Sequence, residues 1–301
     1  MFIDMRSNCL IFRLSTAVFF YCICLPNYAA VNDVFPTDYI ALKDGTLNST
    51  FYLSHRELKG PYSKGDKLFN GAVDSDLAAI RLSYHMNIGQ HYTFAPVAVM
   101  SWVNSQSSLG VASKVFGDET KGLTDLRLGG SFWFHRDYDK RQYAAVSLIA
   151  AIPTGHYDEH QILNAGENRW KWILGGGIIF PIGERLVIDL SPEVAWYGDN
   201  NDYLVQNKLE QEVSYALTGY LRYKFTPDFQ LVTGAQVNRG GANAINGIDQ
   251  HNAPENTRLS VGILYVTSNK DQWQLRYSND LNAQYGFRTT NEVTLRLTSQ
   301  F

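Results

Sequence analysis

The chain has 301 residues, of which 45% are hydrophobic and 18% are charged, and its formal net charge is −3. So low a charged fraction, together with 13% aromatic residues, is not the composition of a disordered chain. The slightly acidic balance gives no electrostatic footprint for phosphate backbones, so nucleic acid is excluded as a partner. Tyrosine is plentiful at 18 copies whereas methionine is scarce at 4, which favours an all-β protein.

The first 30 residues have the layout of a secretory signal peptide. Arg6 and Arg13 precede an apolar stretch over residues 14–25, and the small pair Ala29-Ala30 supplies a cleavage site. About a dozen apolar residues are too few for a spanning helix, which needs roughly twenty, so a cleaved signal is favoured over an uncleaved anchor. We therefore predict a signal peptide over residues 1–30 and a mature chain over residues 31–301. The cysteines all lie in this leader, so the mature chain has no disulfide and no thiol nucleophile: they are Cys9, Cys22 and Cys24.

After residue 33, apolar and polar side chains alternate in segments of about ten residues, which is the period of β-strands. In the last segment Val293 and Leu295 share one face, and Thr294 and Arg296 share the other. This pattern predicts about twelve strands, an even number as single-chain outer-membrane barrels require. The predicted strands are 48–57, 75–88, 91–103, 124–136, 141–152, 170–181, 185–197, 209–225, 229–240, 256–268, 272–279 and 285–301.

The predicted connections alternate strictly between tight turns and long polar loops. Residues 89–90 and 226–228 are short and rich in turn formers, whereas 58–74, 104–123 and 153–169 are long. A soluble β-sandwich or lipocalin-like barrel, the alternative reading, has no reason to sort its loops in this way. A membrane barrel does, because it places short periplasmic turns at one end and long extracellular loops at the other.

Aromatic residues and the chain terminus point in the same direction. Many predicted strands begin or end with an aromatic residue, as girdles at two membrane interfaces require, and Phe301 closes the last alternating strand. We therefore predict an all-β, antiparallel, up-and-down transmembrane barrel in the outer membrane of a Gram-negative bacterium. Its expected partners are outer-membrane lipid, an insertion machinery that recognises Phe301, and a small-molecule solute. The aromatic residues used here are Trp102, Trp170, Trp172, Tyr197, Tyr223, Phe225, Trp273 and Tyr285.

No motif in the sequence indicates catalysis, a cofactor or a metal. The polar run of His156, Asp158, Glu159 and His160 lies in a long loop and lacks the spacing of a helical zinc site. An outer-membrane hydrolase is the enzymatic alternative, since Ser83 shares a strand face with His85. Polar side chains are nevertheless expected on the inner face of any membrane barrel, so we predict a protein that is not an enzyme.

The polar strand faces carry charges of both signs, which a selective pore uses to shape its internal field. The same charges can also pair across strands and stiffen the wall, and both roles can hold at once. The predicted pore-lining residues are Arg81, His85, Asp125, Arg127, Asp189, Glu193, Arg222, Arg276, Arg288, Glu292 and Arg296.

Two segments resemble a known family. Residues 122–129 read Gly-Leu-Thr-Asp-Leu-Arg-Leu-Gly, and residues 152–157 read Ile-Pro-Thr-Gly-His-Tyr, followed by Asn-Ala-Gly-Glu-Asn-Arg-Trp over residues 164–170. These runs resemble the outer-membrane family labelled "MetA-pathway of phenol degradation", although Thr124 stands where that family usually has glycine. The motif residues carried over are Asp125, Pro153, Thr154, Gly155, Tyr157, Asn164, Gly166, Arg169 and Trp170.

This resemblance implies an outer-membrane protein associated with the passage of aromatic or other small hydrophobic compounds. Turn chemistry accounts for Pro153 and Gly155 without any ligand, so a structural role for the motif is favoured over a role in substrate binding. The function predicted from the sequence is passive uptake of small molecules. The alternatives are the hydrolase above and a surface receptor or adhesion barrel that binds a partner through loops such as 153–169.

Overall fold

The computed structural model describes residues 34–301, so the predicted signal peptide lies outside the described residues. In this part of the chain no helix is both long and apolar enough to cross a membrane. A 3-10 turn (Gly110–Ala112) and a short α-helix, α1 (Ser113–Phe116), interrupt seventeen strands. The strands are β1 (Thr46–Ser63), β2 (Asp66–Ile88), β3 (Tyr92–Ser108), β4 (Glu119–Leu123), β5 (Leu126–Asp137), β6 (Gln142–Ile152), β7 (Lys171–Ile182), β8 (Leu186–Tyr197), β9 (Asn200–Tyr203), β10 (Asn207–Gln211), β11 (Ser214–Lys224), β12 (Phe229–Gly240), β13 (Asn243–Ile245), β14 (Ile248–Asp249), β15 (Asn256–Val266), β16 (Gln272–Ala283) and β17 (Tyr285–Gln300).

Twelve of these strands form a closed antiparallel barrel, as predicted. The order around the barrel is β1-β2-β3-β5-β6-β7-β8-β11-β12-β15-β16-β17, and β17 pairs with β1 to close the ring. β4 pairs with the long-loop end of β3, next to β5. Closure leaves no unpaired strand edge within the wall, which is the condition for a sheet in hydrocarbon.

Side chains alternate between an apolar outer face and a polar inner face along each strand. On β1 the outward residues Phe51 and Leu53 are 51% and 58% exposed, whereas Thr50 on the same strand is fully buried. At the long-loop end Trp172 is paired with Trp196 on the outer face, and Trp273 lies on the outer face at the short-turn end. The outer face therefore carries the belt of apolar and aromatic side chains that a bilayer requires. Tyr197, expected in this belt, instead lies on the inner face.

Three features differ from the sequence prediction. Residues 58–74 are not a loop, because β1 and β2 continue as a hairpin as far as the pair Ser63 and Asp66. The strand predicted over 209–225 is divided into β10 and β11. A β-bulge opposite Glu57 offsets the alternation on β17, so that Phe287 is buried inside and Arg288 is displaced from the lumen-facing row.

A buried apolar cluster closes the long-loop end of the barrel. It brings together the base of the β1–β2 hairpin, α1, the 153–170 segment and the β9–β10 hairpin, and we call it the lid. Phe116 is completely buried at its centre, where its ring lies 5.5 Å from that of Phe287. Its buried members are Leu58, Val73, Leu109, Ala112, Phe116, Ile162, Leu163, Tyr203, Leu209 and Phe287.

Candidate functional site

The chain before β1 lies inside the barrel. Residues 34–45, which we call the plug, belong to no strand, and side chains of the wall satisfy several of their backbone groups. The Trp133 indole N–H donates to the carbonyl oxygen of Tyr39 at 2.8 Å, and the Tyr220 hydroxyl donates to that of Val34 at 2.8 Å. The backbone N–H of Thr37 donates to a carboxylate oxygen of Asp189 at 2.9 Å. The plug is thus held by specific hydrogen bonds to several strands.

Asp38 fastens the plug between two arginines of the wall. Its carboxylate lies 2.6 Å from Arg296 on β17 and 3.1 Å from Arg81 on β2. The Asp38 side chain is 4% exposed, so both ion pairs lie where water screens them poorly. One carboxylate therefore compensates part of the charge of two neighbouring guanidinium groups.

Tyr39 occupies a notch made by glycines on β7. A Cβ atom added to Gly177 would lie 1.9 Å from Cγ of Tyr39, and one added to Gly175 would lie 2.9 Å from the Tyr39 hydroxyl oxygen. That hydroxyl also makes a hydrogen bond of 3.0 Å to Ser147 on β6. The absence of side chains at two inward positions of β7 is what gives the ring its space.

A cluster of buried charges on the wall contacts the plug at Phe35. Glu292 on β17 accepts hydrogen bonds from three arginines, at 2.7 Å from Arg56, 3.2 Å from Arg258 and 3.0 Å from Arg276. The Arg276 guanidinium also lies 3.8 Å from the ring centroid of Phe35 in the plug. This contact is a cation–π interaction away from bulk water.

A cavity of about 90 Å³, the inner cavity, lies between the plug and strands β1, β2, β3, β5, β6 and β17. Its apolar wall is formed by Leu77, Ala79, Val99, Ile149 and the ring of Phe35. Its charged lining consists of Arg56, Arg81 and Arg127.

A second cavity of about 80 Å³, the outer cavity, lies beneath the lid. Ile162, Leu163 and Leu209 of the lid form its apolar roof. Leu77 and Arg127 line both cavities, so the two are neighbours along the inner faces of β2 and β5. A third, smaller cavity of about 30 Å³ shares Arg81 with the inner cavity and continues towards the short turns.

The motif residues build the 153–170 segment that bounds the outer cavity. Asp125 accepts hydrogen bonds from the backbone N–H groups of Gly155 at 2.9 Å and of Glu167 at 2.8 Å. Gly155 and Gly166 are in backbone contact, since a Cβ on Gly166 would lie 2.9 Å from Cα of Gly155. Burial raises the pKa of Asp125, against the opposing effect of these backbone donors. Asp125 is therefore a staple that holds two parts of one loop together.

Three other motif residues contact this loop or the strands next to it. Asn164 accepts a hydrogen bond from the backbone N–H of Asp158 at 2.7 Å and donates to the carbonyl oxygen of Gln161 at 2.8 Å. The hydroxyl of Tyr157 accepts a hydrogen bond of 2.9 Å from Asn200. Trp170 is exposed and stacks on Trp172, with ring centroids 5.9 Å apart.

Arg169 and Lys171 hold Glu167 at the rim of the outer cavity. Arg169 lies 2.8 Å from the Glu167 carboxylate and Lys171 lies 3.7 Å from it. Burial alone would raise the pKa of Glu167, but the two cations outweigh that effect and lower it from 4.5 to about 2. The Arg169 guanidinium also lies 4.8 Å from the ring centroid of Tyr197.

The predicted lumen residues fall into three groups. Arg81, Asp189, Arg276 and Arg296 contact the plug, as does His85, whose Nδ1 accepts a hydrogen bond of 3.3 Å from Leu42 N–H. The second group lies on the inner face and consists of Glu193, Glu292, Arg222 and Arg127. Arg222 forms a bidentate ion pair with Asp189, and Arg127 lines both cavities. Asp125 and Arg288 stand apart, because Asp125 staples a loop and Arg288 donates to the carbonyl oxygen of Asp280 at 2.7 Å.

The histidines considered for catalysis and metal binding make other contacts. His85 packs its ring 5.0 Å from that of Trp133, so the imidazole is held by the plug and the wall. In the loop, His160 is paired with Asp158 at 3.0 Å. Across residues 34–301 no group of three or more potential metal ligands of the His, Cys, Asp or Glu types is assembled.

The plug residues Phe35, Asp38 and Tyr39 are the functional residues that sequence reasoning missed. Nothing in the alternation of a chain reveals that a short irregular segment lies inside the barrel. The run Gly175-Gly176-Gly177 within a strand was a usable signal, because glycine inside a strand often marks a close approach by another part of the structure.

A closed barrel with an apolar outer belt, a charged interior and an internal plug defines an integral outer-membrane β-barrel. The family model described as "Putative MetA-pathway of phenol degradation" matches residues 60–297, so the chain belongs to this family, as its motifs predicted. No curated protein matches the chain.

Solved structures agree with this assignment. An outer membrane channel from Pseudomonas putida F1 is similar at a TM-score of 0.84 with 28% identity, and the match covers 89% of this chain and 100% of that one. The β domain of the Bordetella autotransporter BrkA has a TM-score of 0.54, 12% identity, and coverage of 86% and 100%. An autotransporter translocator domain from Neisseria meningitidis has a TM-score of 0.52, 12% identity, and coverage of 87% and 91%. The last two are similar in fold alone.

Proposed function

We propose that this protein admits small, largely apolar molecules, aromatic compounds among them, by passive passage through the lumen of its barrel. The observation that carries the proposal is the succession of three cavities along the inner face of β2, beside the plug. Leu77 joins the outer cavity to the inner cavity, and Arg81 joins the inner cavity to the third one. A solute that follows β2 thus passes from beneath the lid towards the short turns.

The size and walls of the cavities support an apolar solute. An apolar cavity of about 150 Å³ accepts a benzene molecule. The inner and outer cavities, at about 90 and 80 Å³, are each smaller than this, but they adjoin and together reach that size. Their walls are mixed rather than fully polar. The lid and the plug close the two ends, so passage requires that each give way in turn. The family description and the outer membrane channel from Pseudomonas putida F1 support the same class of activity.

The two ends of the chain have roles in export and assembly under this proposal. Residues 1–30 act as a cleaved signal peptide in a Gram-negative bacterium, and Phe301 is read by the outer-membrane insertion machinery. The pore-lining role extends to the lumen residues that contact the plug and the cavities.

An uptake measurement tests the proposal with a matched pair of variants. Ala79 lines the inner cavity, whereas its neighbour Ala78 is paired with the lipid-facing Leu53. Cells that produce the protein should take up radiolabelled benzyl alcohol faster than cells without it. Ala79→Trp should remove most of this gain because the indole fills the cavity, and Ala78→Trp should retain it. Equal uptake with and without a correctly folded barrel contradicts the proposal.

A further inference from the structure

The charges that line the inner cavity are all positive. Arg56, Arg81 and Arg127 belong to its lining, and no carboxylate does. Asp38 and Glu292, which pair with Arg81 and Arg56, are not among the residues that line this cavity. The surface that a solute meets therefore combines apolar and hydroxyl-bearing side chains with positive charge alone, although the whole chain carries a net charge of −3.

The strand register puts two of these arginines at the same height. Arg81 on β2 is paired with Val99 on β3, and Val99 is paired with Arg127 on β5. Neighbouring strands are about 4.8 Å apart, so the two arginine Cα atoms lie on the order of 10 Å apart with a valine between them. Both arginine side chains line the inner cavity, on either side of one aliphatic residue. The planar fork of arginine matches carboxylate geometry, so this row suits a carboxylate.

The plug already demonstrates this recognition. The carboxylate of Asp38 lies 3.1 Å from Arg81, which is one of the two arginines in that row. Close by, the ring of Phe35 forms part of the apolar wall. The plug therefore presents an apolar ring and a carboxylate to the same surface that a solute would use.

We infer that the preferred solutes are small amphipathic acids, with an aromatic or aliphatic body and one carboxylate. This inference rests on the proposed passage through the lumen and adds the chemical class of what passes. The apolar body of the solute packs against Leu77, Ala79 and Ile149. Its carboxylate binds Arg127 and Arg81. At Arg81 the acid competes with Asp38, so the arrival of the solute weakens one of the two ion pairs that hold the plug.

Binding of three ring-matched ligands to the full-length folded protein in detergent tests the inference. The ligands are 4-fluorobenzoate, 4-fluorobenzyl alcohol and 4-fluorobenzylamine, followed by ¹⁹F NMR with empty micelles as the reference. We expect the acid to bind about tenfold more tightly than the alcohol, with the amine weakest. Ala79→Trp should abolish acid binding, and Ala78→Trp should leave it unchanged.

Charge variants separate recognition from general effects on the fold. Arg127→Gln should remove most of the preference for the acid and Arg127→Lys should keep it, while Lys140→Gln in a periplasmic turn should change nothing. Asp38→Asn should increase the affinity for the acid, because a competing carboxylate is removed. Loosening of the plug alone would change the affinities for the acid and the alcohol alike, so a gain confined to the acid is the result that supports competition by Asp38.

The outcomes distinguish this inference from the proposed function. Equal affinity for acid and alcohol in the wild-type protein overturns the acid class, as does acid binding that survives Ala79→Trp. If the protein accelerates benzyl alcohol uptake in either of those cases, passage through the lumen stands without a preference for acids. Failure of both binding and uptake overturns both.

Discussion

The ring of Tyr39 lies directly over Gly177, in space that any other residue on β7 would fill with its own Cβ. A Cβ at this position would lie 1.9 Å from Cγ of the ring, whereas one at neighbouring Gly176 would meet nothing closer than 3.5 Å. The position of the Tyr39 ring therefore depends most on the absence of a side chain at Gly177, where the contact would be closer than at Gly175.

Gly177→Ala is accordingly expected to displace Tyr39 and loosen the plug. Overpacking of this kind typically costs about 1–3 kcal/mol. Single-channel recordings should show a higher conductance than the wild-type protein, and the urea midpoint should fall. Gly176→Ala is the matched control, and a conductance increase in that variant instead would refute this account of the notch.

Asp38→Asn should release the plug by another route. Arg81 and Arg296 would each lose the carboxylate that they now share, and removal of one partner of a buried pair costs about 3 kcal/mol or more. Limited proteolysis of the folded protein in detergent should cut residues 34–45 faster than in the wild type. Asp139→Asn, in an exposed periplasmic turn, should not change the rate. An unchanged rate in both variants would show that the hydrogen bonds from Trp133 and Tyr220 suffice.

Asp125→Asn should loosen the 153–170 segment and leave the barrel intact. Each carboxylate oxygen now accepts one backbone N–H, and an amide offers a single acceptor oxygen, so one buried donor is left unpaired at a cost of about 1–3 kcal/mol. Protease cleavage within 153–170 should accelerate while the heat-modifiable gel shift persists. Asp118→Asn, exposed in another extracellular loop, serves as the control. Cleavage at the wild-type rate would argue against the staple.

Acid should loosen the same segment through Glu167. Its pKa is lowered from 4.5 to about 2 in the folded protein, so the stability it contributes is present above pH 4.5 and is lost as the pH falls towards 2. Hydrogen exchange of residues 153–170, corrected for intrinsic rates, should show less protection at pH 3 than at pH 6. Glu167→Gln should show the reduced protection already at pH 6, and Glu119→Gln should behave as wild type. A protection pattern that ignores pH would exclude this role for Glu167.

Phe301→Ala should affect assembly more than stability. The Phe301 side chain is 76% exposed, and its backbone pairs with Leu47 through hydrogen bonds of 2.9 and 3.0 Å that the substitution preserves. Exposed substitutions of this kind usually change stability by less than about 0.5 kcal/mol. Refolding in detergent should be normal, while the amount in the outer membrane of producing cells should fall, with Phe301→Tyr as the conservative control. Normal membrane levels would show that the terminal ring is not read.

The strands were predictable because the bilayer imposes a local rule. Each lipid-facing position requires an apolar residue, so alternation along ten residues reveals the strand without knowledge of its neighbours. Outside the bilayer this constraint lapses, and residues 58–74 were therefore mistaken for a loop although they continue the β1–β2 hairpin. The bulge opposite Glu57 displaces Arg288 from the predicted lumen-facing row, because one extra residue exchanges the two faces of a strand.

No local sequence pattern predicts the plug or its contacts. Tyr39 and Ser147 are 108 residues apart in sequence, and Thr37 and Asp189 are 152 apart. The charges on the inner faces were visible in the sequence, but the side chains that they meet were not. For the motif, the favoured structural reading agrees with the hydrogen bonds of Asp125 and the close packing of Gly155 on Gly166.

The pairing of β1 with β17, which closes the barrel, determines when folding can be completed. β1 and β17 are joined along their length, and hydroxyl pairs such as Thr50 with Thr298 link residues 248 positions apart. Both strands expose unpaired edges until synthesis of the chain is complete, and such edges readily pair with other chains. Contacts of such high sequence separation also form slowly. The edges of β1 and β17 therefore stay open to pairing with other chains until these two strands meet.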